Sequence, residues 1–147
     1  MPSPPVASLT QVVDASVAVK WIIPEERHEQ ARELLKMFVW GSTELIAPPT
    51  LEEEVASAVA KQCRRRLLSA DQARSAFTQF QSFRPRLMLH AGLVGDALAL
   101  SLQHHLSLWD CLYLALAIRY RCDLITADAR FFRAASRLYP FVRLLGT

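Results

Sequence analysis

LSLWDCLYLALAIRYRCDLITADARF, residues 106–131, is the stretch that decides the fold. From Trp109 to Arg121 the pattern predicts a helix. Ser107-Leu108-Trp109-Asp110 in front of it has capping-box spacing, with Asp110 in the first turn, where the helix dipole favours an acid. Leu124 to Thr126 then forms a short apolar run that predicts a strand. Asp128 opens a last helix reaching about Leu138, and Phe141 to Leu145 supplies a final strand. Strands alternating with helices imply a parallel sheet covered on both faces.

Working back from this segment, the same alternation recurs. Leu9 to Val13 reads as a strand ending at Asp14, followed by a short helix around Ser16 to Ile22 that Pro24 stops. Glu25 to Val39 carries helical spacing, with Ala31, Leu34, Leu35 and Phe38 on one side. Glu44 to Ala47 is a second strand, broken by Pro48 and Pro49. Thr50 opens a helix to about Arg66, and Ser69 caps another through Phe83, ended by Pro85. Arg86 to Leu89 is the third strand and Leu93 to His105 a further helix. The expected architecture is a three-layer α/β sandwich with a central parallel sheet of about five strands. Residues 1–10 are expected to be a flexible tail and 11–147 a single domain.

Composition agrees with one globular domain. The chain has 147 residues, 52% hydrophobic and 21% charged, too apolar for a disordered chain. Seventeen basic residues against fourteen acidic leave +3, a modest excess that does not by itself mark a nucleic-acid binder. Cys63, Cys111 and Cys122 lack the paired spacing of a zinc site and fit a reduced, cytoplasmic setting. No secretory signal and no membrane span are expected.

In open parallel sheets ligands bind outside the carboxyl ends of the strands. VVDAS and ITADAR both end a strand with an acid, and Asp110 opens the helix before the second. Each acid singly has a structural explanation: Asp14 and Asp128 are placed to be helix N-caps, and Asp110 suits a first turn. Together they should converge on one edge, where crowded carboxylates repel unless a cation sits among them. Hard, oxygen-liganded ions such as Mg²⁺ and Mn²⁺ suit such a cluster, which makes it a candidate phosphoryl-transfer site. A fourth acid comes from Glu52, Glu53 or Glu54. Glu53 is the natural capping-box partner of Thr50, and Glu52 is solvent-facing. Glu54, beside Val55 and at helical spacing from Ala58, borders the apolar side and is the choice.

These segments resemble PIN domains. VVDASVAVKW resembles their opening strand and acidic turn, and APPTLEEEVASAVAK resembles the proline-led helix whose acid falls on Glu54. LSLWDCLYLALAIRYRCDLITADARF resembles the most diagnostic stretch of the family, with Asp110, Tyr113, Ala117, Thr126 and Asp128 at its motif positions. The likeness runs from about Gln11 to Leu145 and is nearest to VapC toxins of type II toxin–antitoxin systems. It implies an endoribonuclease dependent on Mg²⁺ or Mn²⁺, held by Asp14, Glu54, Asp110 and Asp128. It also implies a small cognate antitoxin as partner and a homodimer. Trp109 replaces the usual Tyr or Phe before the acid. Arg130 stands where some members have another acid, which tells against a second metal site.

Ser16 and Thr126 are expected to orient the ligands, and Lys20 and Arg130 to contact RNA phosphates. Arg64, Arg65 and Arg66 form the densest basic run but read as solvated surface. A haloacid-dehalogenase-like phosphatase would need an Asp where Ser16 stands. A receiver domain would need a late Lys, and none follows Lys61. The remaining rivals are a PIN-like domain that binds RNA or protein without cutting, and a nuclease of RNA processing.

Overall fold

A computed structural model describes residues 9–147. Five strands, β1 (Leu9–Val13), β2 (Thr43–Ala47), β3 (Arg86–Leu87), β4 (Asp123–Thr126) and β5 (Val142–Leu144), pair in parallel in the order β3-β2-β1-β4-β5. Helices α1 (Ala15–Ala18), α2 (His28–Val39), α3 (Leu51–Arg64), α4 (Ala70–Phe83), α5 (Leu93–His104), α6 (Leu108–Tyr120) and α7 (Ala129–Ser136) flank it. This is the expected α/β sandwich.

Parallel strands covered on both faces carry continuous apolar runs rather than alternating ones. Val12 and Val13 of β1, Leu45 to Ala47 of β2 and Leu124 to Thr126 of β4 are accordingly buried in succession. Helix α6 is apolar all round, and Cys111 to Ala117 are all buried, where the helix packs on α5, β1 and β4. Cys111 is a small core residue, as its place in the helix suggested.

Several boundaries moved for local reasons. The helix expected over Ser16 to Ile22 is a single turn, α1, continued by a 3₁₀ turn over Val19–Trp21. The next helix starts at His28 rather than Glu25. Arg27 before it is left-handed, with φ of 64°, and its guanidinium Nη1 donates to the Leu145 carbonyl at 2.7 Å. The third strand stops at Leu87 instead of Leu89: Met88 N still donates to the Ala47 carbonyl, and Leu89 then points to solvent. Of the tail expected over 1–10, residues 1–8 lie outside the described residues, while Leu9 and Thr10 belong to β1.

Ser69 forms a full capping box with Gln72 at the start of α4. The capping box expected between Thr50 and Glu53 does not form. Pro48 and Pro49 lead the chain into α3 so that their carbonyls accept from Leu51 N and Glu52 N, and Thr50 is already helical, with φ of −63° and ψ of −14°, not in the extended conformation from which an N-cap hydroxyl reaches the third residue on. Glu52, expected to face solvent, ties α3 to α4 through Gln81 Nε2 at 3.1 Å and the Arg84 guanidinium. Among the described residues no helix is long and apolar enough to cross a membrane.

Candidate active site

Connections leave β1 toward β2 on one side, while β4 lies on the other, so β1 and β4 flank the topological switch point. Val13 is in register with Ile125. Asp14 and Asp128 therefore emerge at the same edge of neighbouring strands. Both are N-caps. Asp14 accepts from Val17 N at 3.3 Å, and Asp128 accepts from Arg130 N and Phe131 N at 3.0 and 3.1 Å.

Hydroxyl groups stitch the two turns together. Ser16 Oγ donates to Asp14 Oδ1 at 2.5 Å and accepts from Ala127 N at 2.8 Å. It lies 3.3 Å from Thr126 Oγ1, which itself accepts from Asp128 N at 3.1 Å. Ser16 thus touches the Asp14 carboxylate, while Thr126 holds the backbone N–H of Asp128.

Glu54 and Asp110 complete the edge. Glu54 comes from the first turn of α3, half-buried, and accepts from the Tyr113 hydroxyl at 3.1 Å. Asp110 lies in the first turn of α6, capped by Ser107, whose hydroxyl accepts from Asp110 N at 3.1 Å.

The electrostatics show who faces whom. Burial pushes the Asp14 carboxyl up to about 6 and the charge of Asp110 adds to this, against the hydroxyls of Ser16 and Thr126. Burial likewise pushes Glu54 up to about 7, with Asp14 and Asp110 adding and the Tyr113 hydroxyl opposing. Asp110 is raised by burial and then by Asp128. Asp110 is the hub: it faces Asp14 and Glu54 on one side and Asp128 on the other. Tyr113 is held far above its ordinary range by burial and the same carboxylates, so it remains a neutral donor.

Oxygen-only donors that raise one another's pKa fit a hard divalent cation, whose charge would relieve the repulsion. Among the described residues no three acid, His or Cys side chains gather tightly enough to bind an ion directly together.

Basic groups border this edge. Lys20 lines a cleft with Ser16, Glu54 and Lys61, and is already paired with Glu25 at 3.2 Å. Lys61 is a residue the sequence reading passed over, although it stands on the Glu54 face of α3, seven residues on. A second cleft brings Asp110 and Asp128 together with Arg130 and His105. Three further polar residues are tied elsewhere: His104 to Tyr139, His90 to Tyr120, and Asp96 to Arg119.

Comparison with known proteins adds to this geometry. The PIN-domain family pattern matches residues 12–137. Ribonuclease VapC3 of Pyrobaculum aerophilum is 35% identical over 119 residues, which are 80% of this chain and 88% of that protein. The crystal structure of VapC20 from Mycobacterium tuberculosis, described as a toxin cleaving the sarcin–ricin loop, superposes with a TM-score of 0.62 at 19% identity, covering 85% of this chain and 95% of that one. PAE2754 from Pyrobaculum aerophilum superposes with the same TM-score of 0.62 at 17% identity, covering 87% of each chain. At these identities the two structures speak to the fold.

Proposed function

The chain belongs to the PIN-domain family, and we propose that within it this protein is a VapC-type endoribonuclease, the toxin of a toxin–antitoxin pair, cutting at the acidic edge of the sheet. The observation that best supports the site is the register of Val13 with Ile125, which brings Asp14 and Asp128 to one sheet edge at the switch point, with Glu54 tied to Tyr113 and Asp110 in the first turn of α6 beside them. Mg²⁺, or Mn²⁺ in its place, is the ion this oxygen set suits. When bound, such an ion lowers the pKa of water and offsets charge gathering on phosphoryl oxygens.

The residues divide the work. Asp14, Glu54 and Asp110 would hold the ion, with Asp128 extending the acidic edge. Ser16 and Thr126 fix the two strand-end turns, and Tyr113 holds Glu54 in place. Lys20, Lys61 and Arg130 receive the RNA backbone on either side. The oxygen of water adds to phosphorus, the P–O3′ bond breaks and the 3′ oxygen takes up a proton. The products carry a 5′-phosphate and a 3′-hydroxyl.

The partners are the RNA substrate, a small cognate antitoxin and a second copy of the chain, and RNA as substrate places the work in the cytoplasm. Val94, Leu98 and Leu102 stand exposed in one row along α5, a face suited to bury apolar surface against a partner. Sedimentation of the purified chain tells whether a second copy does so. A PIN-like module that binds without cutting is disfavoured because all four acids are retained.

Incubation of total bacterial RNA with purified protein tests the proposal. Discrete 5′-phosphate products are expected with Mg²⁺, and none with EDTA or with Asp110→Ala. Equal cutting by a well-folded Asp110→Ala would refute the site; no cutting by antitoxin-free parent protein would favour the non-cutting module.

A further inference from the structure

Beside the acids lies a cleft of about 620 Å³ lined by Pro49, Thr50, Glu53, Glu54, Ser57 and Trp109. Its wall is shared with the active site at Glu54, and Trp109 directly precedes Asp110 in α6. Trp109 is 57% exposed on the wall of this cleft, so much of its ring is open to an occupant. In the same wall the buried Thr50 hydroxyl has no hydrogen-bond partner, whereas buried polar groups are as a rule paired.

We infer that this cleft seats one nucleobase of single-stranded RNA, stacked on the Trp109 indole, immediately beside the scissile phosphate. The inference rests on the ribonuclease reading and adds to it a residue that selects where the strand is cut. The chemistry of the lining favours a base over other occupants. An open indole beside a proline ring offers flat apolar surface, which bases splayed from single-stranded RNA use for stacking. Around that surface stand groups that can meet a base edge, the hydroxyl of Ser57 and the carboxylate of Glu53. A carboxylate accepts from an exocyclic amino group and offers nothing to the carbonyl at the same place in uracil. Guanine, whose N1–H and amino group can both donate to it, therefore suits the carboxylate best, and uracil, with N3–H alone, less well. The phosphates on either side meet Lys20 and Lys61, because the basic cleft and this one join at Glu54 and Ser57.

The test uses a single-stranded oligoribonucleotide that the parent protein cuts in Mg²⁺, and versions with one abasic residue at each position flanking the cut. At one position the missing base should lower kcat/KM of the parent by roughly tenfold to a hundredfold, the range for losing one base–aromatic stack. Trp109→Ala should cut the intact strand more slowly by a similar factor and become indifferent to that abasic site. Trp109→Phe should keep most of the rate and the discrimination. Because Trp109 packs little, Trp109→Ala should melt at the parent's temperature. Full sensitivity to the abasic site in Trp109→Ala would overturn the inference. So would unchanged cutting combined with weaker inhibition by the antitoxin, which would assign the cleft to a protein partner.

A second readout does not depend on cleavage. In EDTA, the same oligonucleotide should quench the tryptophan fluorescence of the parent and quench Trp109→Phe much less. If the parent cut no RNA while this difference persisted, the nuclease reading would fail and the base site would stand. Equal quenching of both proteins would remove the base site whatever the activity.

Discussion

The turn after β1 and the turn after β4 follow one local recipe and end in different states. Each is a strand end, an aspartate and a helix whose first N–H groups that aspartate accepts. Asp14 is 5% exposed and its carboxyl is pushed up to about 6, whereas Asp128 stands in solvent with its two cap bonds made. The difference comes from what packs over the turn. Above Asp14 lie α3 and α6, which bring Glu54, Tyr113 and Asp110; Asp128 meets the cluster only through Asp110. Capping a helix and serving the proposed site are thus compatible, since Asp14 caps α1 and is buried beside the other acids at once.

The largest expected effect separates these two aspartates. Asn caps a helix as well as Asp does, so Asp14→Asn and Asp128→Asn both keep their turns. Asp14→Asn should lower cleavage by at least ~10³-fold, the order lost with a preorganised electrostatic group at a reacting centre. Asp128→Asn should retain more activity than Asp14→Asn. Rates for the two variants on one RNA decide it, and equal losses would dissolve the contrast.

The next effect belongs to the Asp14 side alone. Tyr113→Phe removes the hydroxyl that holds Glu54 at 3.1 Å and opposes the rise of its pKa. Cleavage should fall roughly 10–100-fold, the size found for a group that orients a metal ligand. The acid limb of the pH–rate profile should move to higher pH, so raising the pH restores part of the rate. An unshifted profile would show that Tyr113 only fills space.

Stability should separate the turns as well. The folded pKa values of Asp14 and Glu54 lie above their ordinary 3.8 and 4.5, at about 6 and about 7. Raised carboxyls bind more protons when folded, so the metal-free protein is most stable below about pH 4 with respect to these groups, and that stability is lost as pH rises through about 7. For Asp14 the shift of about two units corresponds to roughly 3 kcal/mol. Asp14→Asn should therefore raise the Tm of metal-free protein by several degrees at pH 8 and scarcely at pH 4. Mg²⁺ should raise the parent's Tm at pH 8. Asp128→Asn should change neither. Calorimetry at the two pH values checks all three.

The local recipe was legible in the sequence at both turns, and so was the parallel sheet, because every strand from Leu9 to Thr126 is followed by one or two helices before the next. Glu54 was separable from Glu53 and Glu52 by the apolar spacing of its helix. What the sequence did not carry was burial created by distant segments. Nothing in VVDAS distinguishes a buried aspartate from the exposed one in ITADAR. The pairing of Lys20 with Glu25 and the exposure of Trp109 likewise depend on how α1, α3 and α6 meet. The Thr50–Glu53 capping box failed for a nearer reason: after two prolines Thr50 enters α3 already in helical backbone, so its hydroxyl is not placed to cap.

The smallest expected effect asks which turn the RNA backbone follows. Lys61 lies on the Asp14 side, half a cleft from Glu54, and Arg130 on the Asp128 side in solvent. Each phosphate contact to a single strand contributes about 0.7 to the slope of log affinity against log salt. Binding of a labelled oligoribonucleotide in EDTA, measured across a salt series, should lose about that slope with Lys61→Ala and a few-fold in affinity. Arg130→Ala should do the same if the strand crosses both turns, with the scissile phosphate between them. A loss confined to Lys61→Ala would run the strand along α3 and leave Asp128 beyond its path. A loss confined to Arg130→Ala would reverse the ranking of the two turns, and the exposed aspartate would then be the one nearer the substrate.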